Sequence, residues 1–373
     1  MGPHSRGFSA YALSVPSYNQ EVANMSQVPS SMHYVLMIGC AVLLSAHRAD
    51  SAEPSKQPVH ADRTPLTFRD AGLYWSATPQ SQSETAGAKS LLTLERAATD
   101  QSPWAFYIMQ STENPAEMAS LADQIRQMAS HGKKIILRAE VGHLHEKPDV
   151  DQMEQWLVEL FQHVDPDWLY AITLDEEQVY WKGWAEALTE LYARCKTRWP
   201  DLPVYQWWSP MEVPNARAKK GWVALPADGW VIDLYGQPRP IFEQKLVKAL
   251  ETGKPVIHII WASPEWMFYD KQGCTKKNWW EKNGRPVFEY QLDVCRAYNV
   301  PVAYFCTQQY VNDAEGNRVE FVRWGWQAKD PLVRKFYLEL EKKVQALRSL
   351  PKETIGYRAL DQKKFDWAHT IDP

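Results

Sequence analysis

The chain has 373 residues, of which 45% are apolar and 23% are charged, a balance that excludes a disordered or collagen-like protein. Its 41 basic and 45 acidic residues give a net charge of −4, so there is no electrostatic reason to expect a nucleic acid or an anionic membrane as partner. The 18 tryptophans and 17 tyrosines are unusual, because such rings often form flat surfaces for ligands with an apolar face and a polar rim.

An apolar segment of 13 residues at 34–46 is the first feature along the chain. It is too short to span a bilayer as a helix and is typical of the apolar region of a signal peptide. A plain signal peptide is favoured over a lipoprotein signal at Cys40, because further apolar residues follow that cysteine. We therefore expect an exported protein, with residues 1–52 as leader and signal peptide and residues 53–65 as a polar linker.

From residue 66 onward, short apolar runs rich in β-branched and aromatic residues alternate with segments of helical period. The eight predicted strands begin at Ala71, Trp104, Lys133, Trp168, Pro203, Gly229, Lys254 and Pro301. Between them apolar residues recur at steps of three and four, which predicts crossover helices and a parallel sheet. The pattern predicts a single (βα)₈ TIM barrel over residues 66–350, with residues 351–373 as a tail that is irregular or packed on the barrel exterior.

The segments after the seventh and eighth strands, residues 262–284 and 307–329, are longer than usual barrel loops and are expected to carry binding residues. Cysteines 195, 274, 295 and 306 show no C-x-x-C spacing, so neither a zinc ribbon nor a redox motif is predicted, and no metal or other cofactor is expected. Cys274 and Cys295 flank one loop and its helix, and a bridge between them and two buried free thiols both stay open.

In a TIM barrel the reactive groups lie at the carboxyl ends of the strands. The ends of the predicted strands and the loops that follow them carry amides, acids, histidine and many aromatic rings. The candidate substrate-binding residues are Trp75, Gln110, Glu140, His143, Trp207, Trp208, Trp261 and Gln308. With no glycine-rich phosphate loop beside them, these groups favour a neutral polyhydroxylated ligand, and we expect a monomer acting on carbohydrate.

The fourth strand ends in an acidic cluster. Its alternation predicts that Tyr170, Ile172 and Leu174 face the helices and that Ala171, Thr173, Asp175 and Glu177 face the barrel interior. A carboxylate beside a buried acid raises the pKa of that acid, so Asp175 would keep Glu177 protonated as a general acid. The alternative is a surface cluster of acids at the amino terminus of the next helix.

The segment from Leu169 to Glu177, an apolar strand ending in Asp-x-Glu with Trp181 and Trp184 beyond it, resembles the fourth strand of the chitinase and hyaluronidase superfamily of barrel glycosidases. The hyaluronidase form is the more similar. This resemblance implies that Glu177 is the proton donor and that Asp175 orients the substrate's acetamido carbonyl, which is the internal nucleophile. It also implies that Tyr235 holds the acetamido group. The chitinase consensus has a further Asp where this chain has Thr173, which leaves chitin-type specificity open.

Other interpretations remain. Glu265, after the seventh strand, would be the nucleophile if the chain were a retaining glycosidase with two carboxylates. A barrel that binds carbohydrate without cleaving it would keep the aromatic residues but lack productive acid geometry. A polysaccharide lyase would need Tyr235, His143 and Arg138 to converge on a uronic acid. His258, inside the seventh strand, is expected to be a packed core histidine.

Overall fold

The computed structural model describes residues 60–75, 104–111, 115–139, 148–175, 183–208, 225–234, 238–261, 285–306, 308–312, 318–323, 331–358 and 360. The chain divides into two units, Met1–Glu53 and Pro54–Pro373, and the described residues all belong to the second. The predicted leader and signal peptide lie outside the described residues. Among the helices of the described part, none combines the length and the apolar character needed to cross a membrane.

Eight parallel strands close into a barrel, which confirms the predicted TIM-barrel fold. They are β1 (Ala71–Trp75), β2 (Phe106–Gln110), β3 (Lys134–Arg138), β4 (Ala171–Thr173), β5 (Val204–Trp208), β6 (Gly229–Asp233), β7 (Val256–Trp261) and β8 (Val302–Cys306). Each strand pairs with the next along the chain, and β1 pairs with β8, so the sheet has no free edge. β4 is the shortest because a 3₁₀ turn, Pro166–Trp168, occupies the start of the predicted strand.

Helices follow the strands along the chain. The described helices are α1 (Pro115–Ser130), α2 (Val150–Leu160), α3 (Trp184–Arg198), α4 (Arg239–Leu250), α5 (Arg285–Ala297) and α6 (Pro331–Arg348). The start of α2 is set by an N-cap residue, Asp149. Its carboxylate accepts hydrogen bonds from the main-chain N–H groups of residues 151 and 152. The segment after β8, predicted as a long loop, contains two antiparallel strands that pair with each other, β9 (Gln308–Asn312) and β10 (Arg318–Arg323).

The apolar core forms two layers, one between the strands and the helices and one inside the barrel. The inner layer consists of Leu66, Tyr74, Phe106, Ile108, Ile136, Tyr170, Ala171, Tyr205, Trp207, Val231, Ile257, Ile259 and Ala303. Ile172 and Leu174 lie in the outer layer as predicted. The prediction for Tyr170 was wrong: its ring packs on Tyr205 in the inner layer, with centroids 6.3 Å apart, because alternation begins only at the first residue of β4, Ala171.

Two aromatic rings fill the amino-terminal half of the barrel, opposite glycines on neighbouring strands. The ring of Phe106 occupies the space beside Gly72, and the ring of Tyr205 occupies the space beside Gly229. A Cβ added at Gly229 would lie 2.5 Å from Cζ of Tyr205, closer than real Cβ atoms approach other atoms. Both rings belong to the apolar inner layer. In a TIM barrel the reacting groups lie at the carboxyl ends of the strands.

Chain segments on either side of the barrel sequence are bound to it. The guanidinium of Arg63 donates to the main-chain oxygens of Pro166, Leu169 and Asp201, at 3.1, 3.3 and 2.8 Å. After α6, the main-chain N–H groups of Gly356 and Arg358 donate to carbonyls at the end of α5, at 2.8 and 3.0 Å. The described part of the predicted tail thus packs on the barrel exterior.

Two described cysteines are free thiols. Cys195 on α3 and Cys295 on α5 are both buried, and burial raises the pKa of the Cys195 thiol to about 12 and that of Cys295 well above its ordinary value. Cys274, the partner considered for Cys295, lies outside the described residues. The structure agrees with the alternative of a buried, unreactive thiol at Cys295.

Candidate active site

The structure describes some of the predicted site residues fully, some by their backbone alone and others not at all. Asp175 and Trp207 are described with their side chains, and their positions are given below. For Trp75, Gln110, Trp208, Trp261 and Gln308 the backbone is described, and these residues lie at the carboxyl ends of β1, β2, β5 and β7 and at the start of β9. Glu140, His143, Glu177, Tyr235 and Glu265 lie outside the described residues.

Asp175 lies just beyond β4 and is completely buried. Its Oδ1 accepts a hydrogen bond from the main-chain N–H of Trp207 on β5, with an N···O distance of 3.4 Å. A buried carboxylate bonded to the next strand is not part of a surface cluster, so the alternative of an exposed acid capping a helix is wrong for Asp175. The predicted inward direction of the Asp175 side chain agrees with this position.

Trp207 lies at the centre of a group of buried polar and aromatic side chains. Its indole Nε1–H donates to Oδ2 of Asp233, at the end of β6, over 3.4 Å. The Tyr74 ring of β1 packs against the indole with centroids 5.2 Å apart and planes tilted by 59°. The guanidinium carbon of Arg138, at the end of β3, lies 5.6 Å from the indole centroid. Trp207 itself is only 1% exposed.

A hydrogen bond from Arg138 Nη1 to the Tyr74 hydroxyl joins the two residues that flank the indole. We name Tyr74, Arg138, Asp175, Trp207 and Asp233 the site cluster. Its three charged members are 5%, 0% and 4% exposed for Arg138, Asp175 and Asp233. Burying charged groups costs free energy unless they are paired and hydrogen-bonded. In this group Trp207 donates to both acids and the Tyr74 hydroxyl accepts from Arg138.

Two members of the site cluster received no role in the sequence analysis. Asp233 ends β6, two residues before Tyr235, the residue to which the resemblance assigns a role. The signal that identifies Asp233 is alternation: Gly229 and Val231 face the interior, so the next inward position on β6 is a charged one. Tyr74 satisfies the same rule on β1, where it lies inside the barrel.

Thr173 faces the interior between Ala171 and Asp175 and is completely buried. Within the described residues, its hydroxyl has no hydrogen-bond partner. This is the position at which the chain departs from the chitinase consensus. The residue two positions before Asp175 on β4 therefore carries a hydroxyl and not a carboxylate.

His258 lies on the outer face of β7, away from the site cluster. Its Nε2 is 3.4 Å from Oε1 of Gln291, and the amide of Gln291 donates in turn to the main-chain oxygen of Leu234 at 2.9 Å. The ring also packs edge-on against Phe242, with centroids 4.9 Å apart. Burial lowers its pKa to about 4, although the hydrogen bond to Gln291 acts in the opposite direction. The prediction of a packed core histidine is confirmed.

Among the described residues, no group of three or more histidine, cysteine, aspartate or glutamate side chains is arranged to hold a metal ion. The site cluster itself offers buried carboxylates, a guanidinium and two aromatic rings. Carboxylates at the carboxyl end of a barrel suit acid, base or charge-stabilising roles.

Comparison with known proteins gives similarity at the level of structure. No protein-family model and no curated protein sequence matches the chain. The chain is similar to a GH5_18 protein from Streptomyces cattleya, solved in complex with GlcNAc, with 11% identity over 77% of this chain and 82% of that one and a TM-score of 0.54. It is also similar to a GH5_18 protein from Bifidobacterium longum subsp. infantis, with 9% identity over 74% and 79% of the two chains and a TM-score of 0.50.

A third similar structure is a β-D-glucuronidase from Dictyoglomus thermophilum, with 15% identity and a TM-score of 0.46. The alignment covers 77% of this chain but 51% of that one, so this chain spans about half the length of the glucuronidase. At these identities the similarity concerns the fold alone. The chain has a TIM-barrel fold that solved glycoside hydrolases share.

Proposed function

We propose that the protein is an exported glycoside hydrolase that cleaves a poly- or oligosaccharide, with Glu177 as general acid/base and Asp175 assisting it. The observation that carries the proposal is the position of Asp175: a completely buried carboxylate at the carboxyl end of β4, bonded to the backbone of β5. In this fold that end of the barrel holds the reacting groups. The apolar segment at residues 34–46 supports export.

The proposed chemistry is substrate-assisted. Glu177 donates a proton to the leaving oxygen, and the carbonyl oxygen of the sugar's own 2-acetamido group attacks the anomeric carbon as the bond to the leaving group breaks. Asp175 orients the acetamido group and carries negative charge beside it, and Tyr235 holds the same group. Water then opens the cyclic intermediate, with Glu177 as the base that removes its proton.

The alternation of β4 supports this assignment of roles. Ala171 and Thr173 face the interior and Asp175 is buried just beyond the end of β4; Glu177 follows two residues later in the sequence. The Streptomyces cattleya protein was solved with GlcNAc, a 2-acetamido sugar, which makes sugars of this kind the first substrates to test.

The test is a panel of 4-nitrophenyl glycosides and natural polysaccharides with product analysis, applied to the wild type and to Glu177→Gln. The wild type should cleave 2-acetamido sugars and refuse the matching glucosides and galactosides. Glu177→Gln should lose turnover of natural substrates yet keep sugar binding, measured by calorimetry. Glu186→Gln, at an exposed position on α3, is the matched control and should retain full turnover.

Two results would replace this proposal. Efficient cleavage of plain glucosides, combined with inactivation by Glu265→Gln, would make Glu265 the nucleophile of a double displacement. Sugar binding without turnover in the wild type, unchanged by Glu177→Gln, would identify a carbohydrate-binding barrel. Export is tested separately by N-terminal sequencing of secreted protein, which should begin between Ala46 and Glu53.

A further inference from the structure

We infer that Asp233 is a second carboxylate of the active site and that Trp207 is the residue that positions it. The inference rests on the proposed glycosidase function, in which Asp233 has no role. It is carried by the geometry of the site cluster, in which one tryptophan is bonded to two buried acids on different strands.

The surroundings of Asp233 make a purely structural role costly. The residue ends β6 inside the barrel and is 4% exposed. Its neighbour along the inner face of β6 is Val231, and its register partner on β7 is Ile259, both in the apolar inner layer. A carboxylate buried beside apolar side chains costs several kcal/mol even after relaxation, and its pairing with other charges is weak evidence that it stabilises the fold.

Trp207 fixes the two carboxylates through two different N–H groups. Its main-chain N–H donates to Asp175 and its indole Nε1–H donates to Asp233, each over 3.4 Å. Arg138 and Tyr74 pack against the indole itself. Both the main chain and the indole of Trp207 are therefore used within the site cluster. We assign Trp207 the role of positioning Asp175 and Asp233, and not that of a stacking surface for a sugar.

The charge of the site cluster suits the reaction. Two carboxylates and one guanidinium leave one negative charge in excess when both acids are ionised. Glycoside cleavage passes through a transition state in which positive charge develops on the sugar ring. A fixed carboxylate that faces this charge lowers the barrier without forming a covalent bond, because it is oriented before the reaction starts. We assign Asp233 this electrostatic role.

The hydrogen bond from the Trp207 indole to Asp233 also predicts how the pH dependence of activity should change in a variant without it. A hydrogen bond to the ionised form of an acid lowers its pKa, so removing the Nε1–H raises the pKa of Asp233. The other described titratable and charged members of the site cluster are Asp175 just beyond β4, Arg138 on β3 and Tyr74 on β1, each of which contacts Trp207. His258 faces the opposite side of β7 and stays neutral above its pKa of about 4.

The test compares Asp233→Asn and Trp207→Phe with two matched controls. Asp228→Asn removes an acid at the other end of β6 that is bonded to Tyr192, Lys196 and the main chain of Val204. Trp230→Phe removes an indole bond to Thr252 of 2.9 Å on the outer face of the same strand. Each control loses the same chemical group as its test variant without touching the site cluster, and circular dichroism checks that all four fold.

Asp233→Asn should lower kcat about a hundredfold, as loss of one preorganised charge-stabilising group does, while KM changes less. Trp207→Phe keeps a ring beside Arg138 and Tyr74 and should lower kcat about tenfold, the value of one hydrogen bond. In the plot of kcat/KM against pH, the acid limb of Trp207→Phe should lie at higher pH than that of the wild type, because loss of the indole N–H raises the pKa of Asp233. Asp228→Asn and Trp230→Phe should keep the wild-type kcat and pH profile.

The inference is overturned if Asp233→Asn has the same kcat as Asp228→Asn, or if Trp207→Phe leaves the acid limb where the wild type has it. Because Trp207→Phe keeps the carboxylate, it serves as the test even if Asp233→Asn does not fold. A wild type that cleaves no glycoside refutes the proposed function instead. Binding of N-acetylglucosamine then decides: weaker binding by Asp233→Asn than by Asp228→Asn supports the inference, and equal or absent binding overturns it.

Discussion

The carboxylate of Asp175 accepts a hydrogen bond from the main-chain N–H of Trp207 over 3.4 Å, so the backbone of β5 holds an acid that follows β4. Because the donor is a main-chain group, no change of side chain at position 207 other than proline removes it. The position of Asp175 is thus set by the pairing of two strands, which is the most rigid part of a barrel.

Asp175→Asn should lower kcat about a hundredfold without unfolding the protein. The amide oxygen still accepts from the main chain of Trp207, but the negative charge beside the acetamido group is lost. The measurement is kcat on the best substrate together with the melting temperature. Asp201→Asn, at an exposed position before β5, is the control. Wild-type turnover by Asp175→Asn would remove Asp175 from the mechanism.

Glu177→Ala should separate substrates by their leaving group. A 4-nitrophenyl glycoside needs little protonation of its leaving oxygen, so Glu177→Ala should still cleave it while natural substrates are lost. Asp175→Asn should be slow on both, because it disturbs the internal nucleophile. Rates of both variants on both substrates are to be compared. Equal losses on the two substrates by Glu177→Ala would show that Glu177 is not the proton donor.

His258 should make folding stability depend on pH. Its pKa is about 4 in the folded protein against 6.5 for an ordinary histidine, so between these values the unfolded chain binds the extra proton. Stability therefore rises with pH through this window and is lost as pH falls from 6.5 towards 4. Between pH 7 and pH 5 the histidine should account for about 2 kcal/mol of that loss.

The measurement is urea denaturation at pH 7 and pH 5 for the wild type and His258→Asn. Acidic residues contribute to the change in both proteins, so the difference between the two changes isolates the histidine. An identical pH dependence in both proteins would show that His258 titrates normally in the folded state.

Gly229→Ala should destabilise the barrel by about 1–3 kcal/mol, the usual cost of adding atoms to a packed interior. The new methyl group would lie 2.5 Å from Cζ of Tyr205, and that ring is buried in the inner layer. Urea denaturation of the variant gives the change in unfolding free energy. An unchanged value would mean that the inner layer has spare volume.

The barrel could be predicted from the sequence because its signals are local. All eight strands lie within or beside the predicted runs, and the buried positions of α1, such as Leu121 and Ile125, follow the predicted spacing. Alternation also predicted an inward direction for Asp175, which the structure places in a buried position just beyond β4. The assignment of Tyr170 was wrong because alternation holds only within β4, and Tyr170 lies between the 3₁₀ turn at Pro166–Trp168 and the first residue of that strand, Ala171.

The contacts of the site cluster could not be predicted, since they join residues from five different strands and depend on their register around the barrel. Nothing in the local pattern around Trp207 shows that its ring lies between Arg138 and Tyr74 or that its Nε1 meets Asp233. The hairpin was missed for a different reason. Gly316 and Asn317, between two runs of strand-forming residues, are a turn signal, but the segment was interpreted only as a long loop.

The contacts of Arg63 and Leu66 have a practical consequence for anyone who shortens the protein. Leu66 lies in the inner layer although it precedes every strand, and Arg63 ties the same segment to three carbonyl oxygens near β4 and β5. The segment that contains Arg63 and Leu66 is therefore part of the packed barrel, although it precedes β1. A version that starts at the first residue of β1, Ala71, would keep all eight strands but lose Leu66 from the inner layer and the three hydrogen bonds of Arg63. A safe cut lies before His60, well ahead of the first strand.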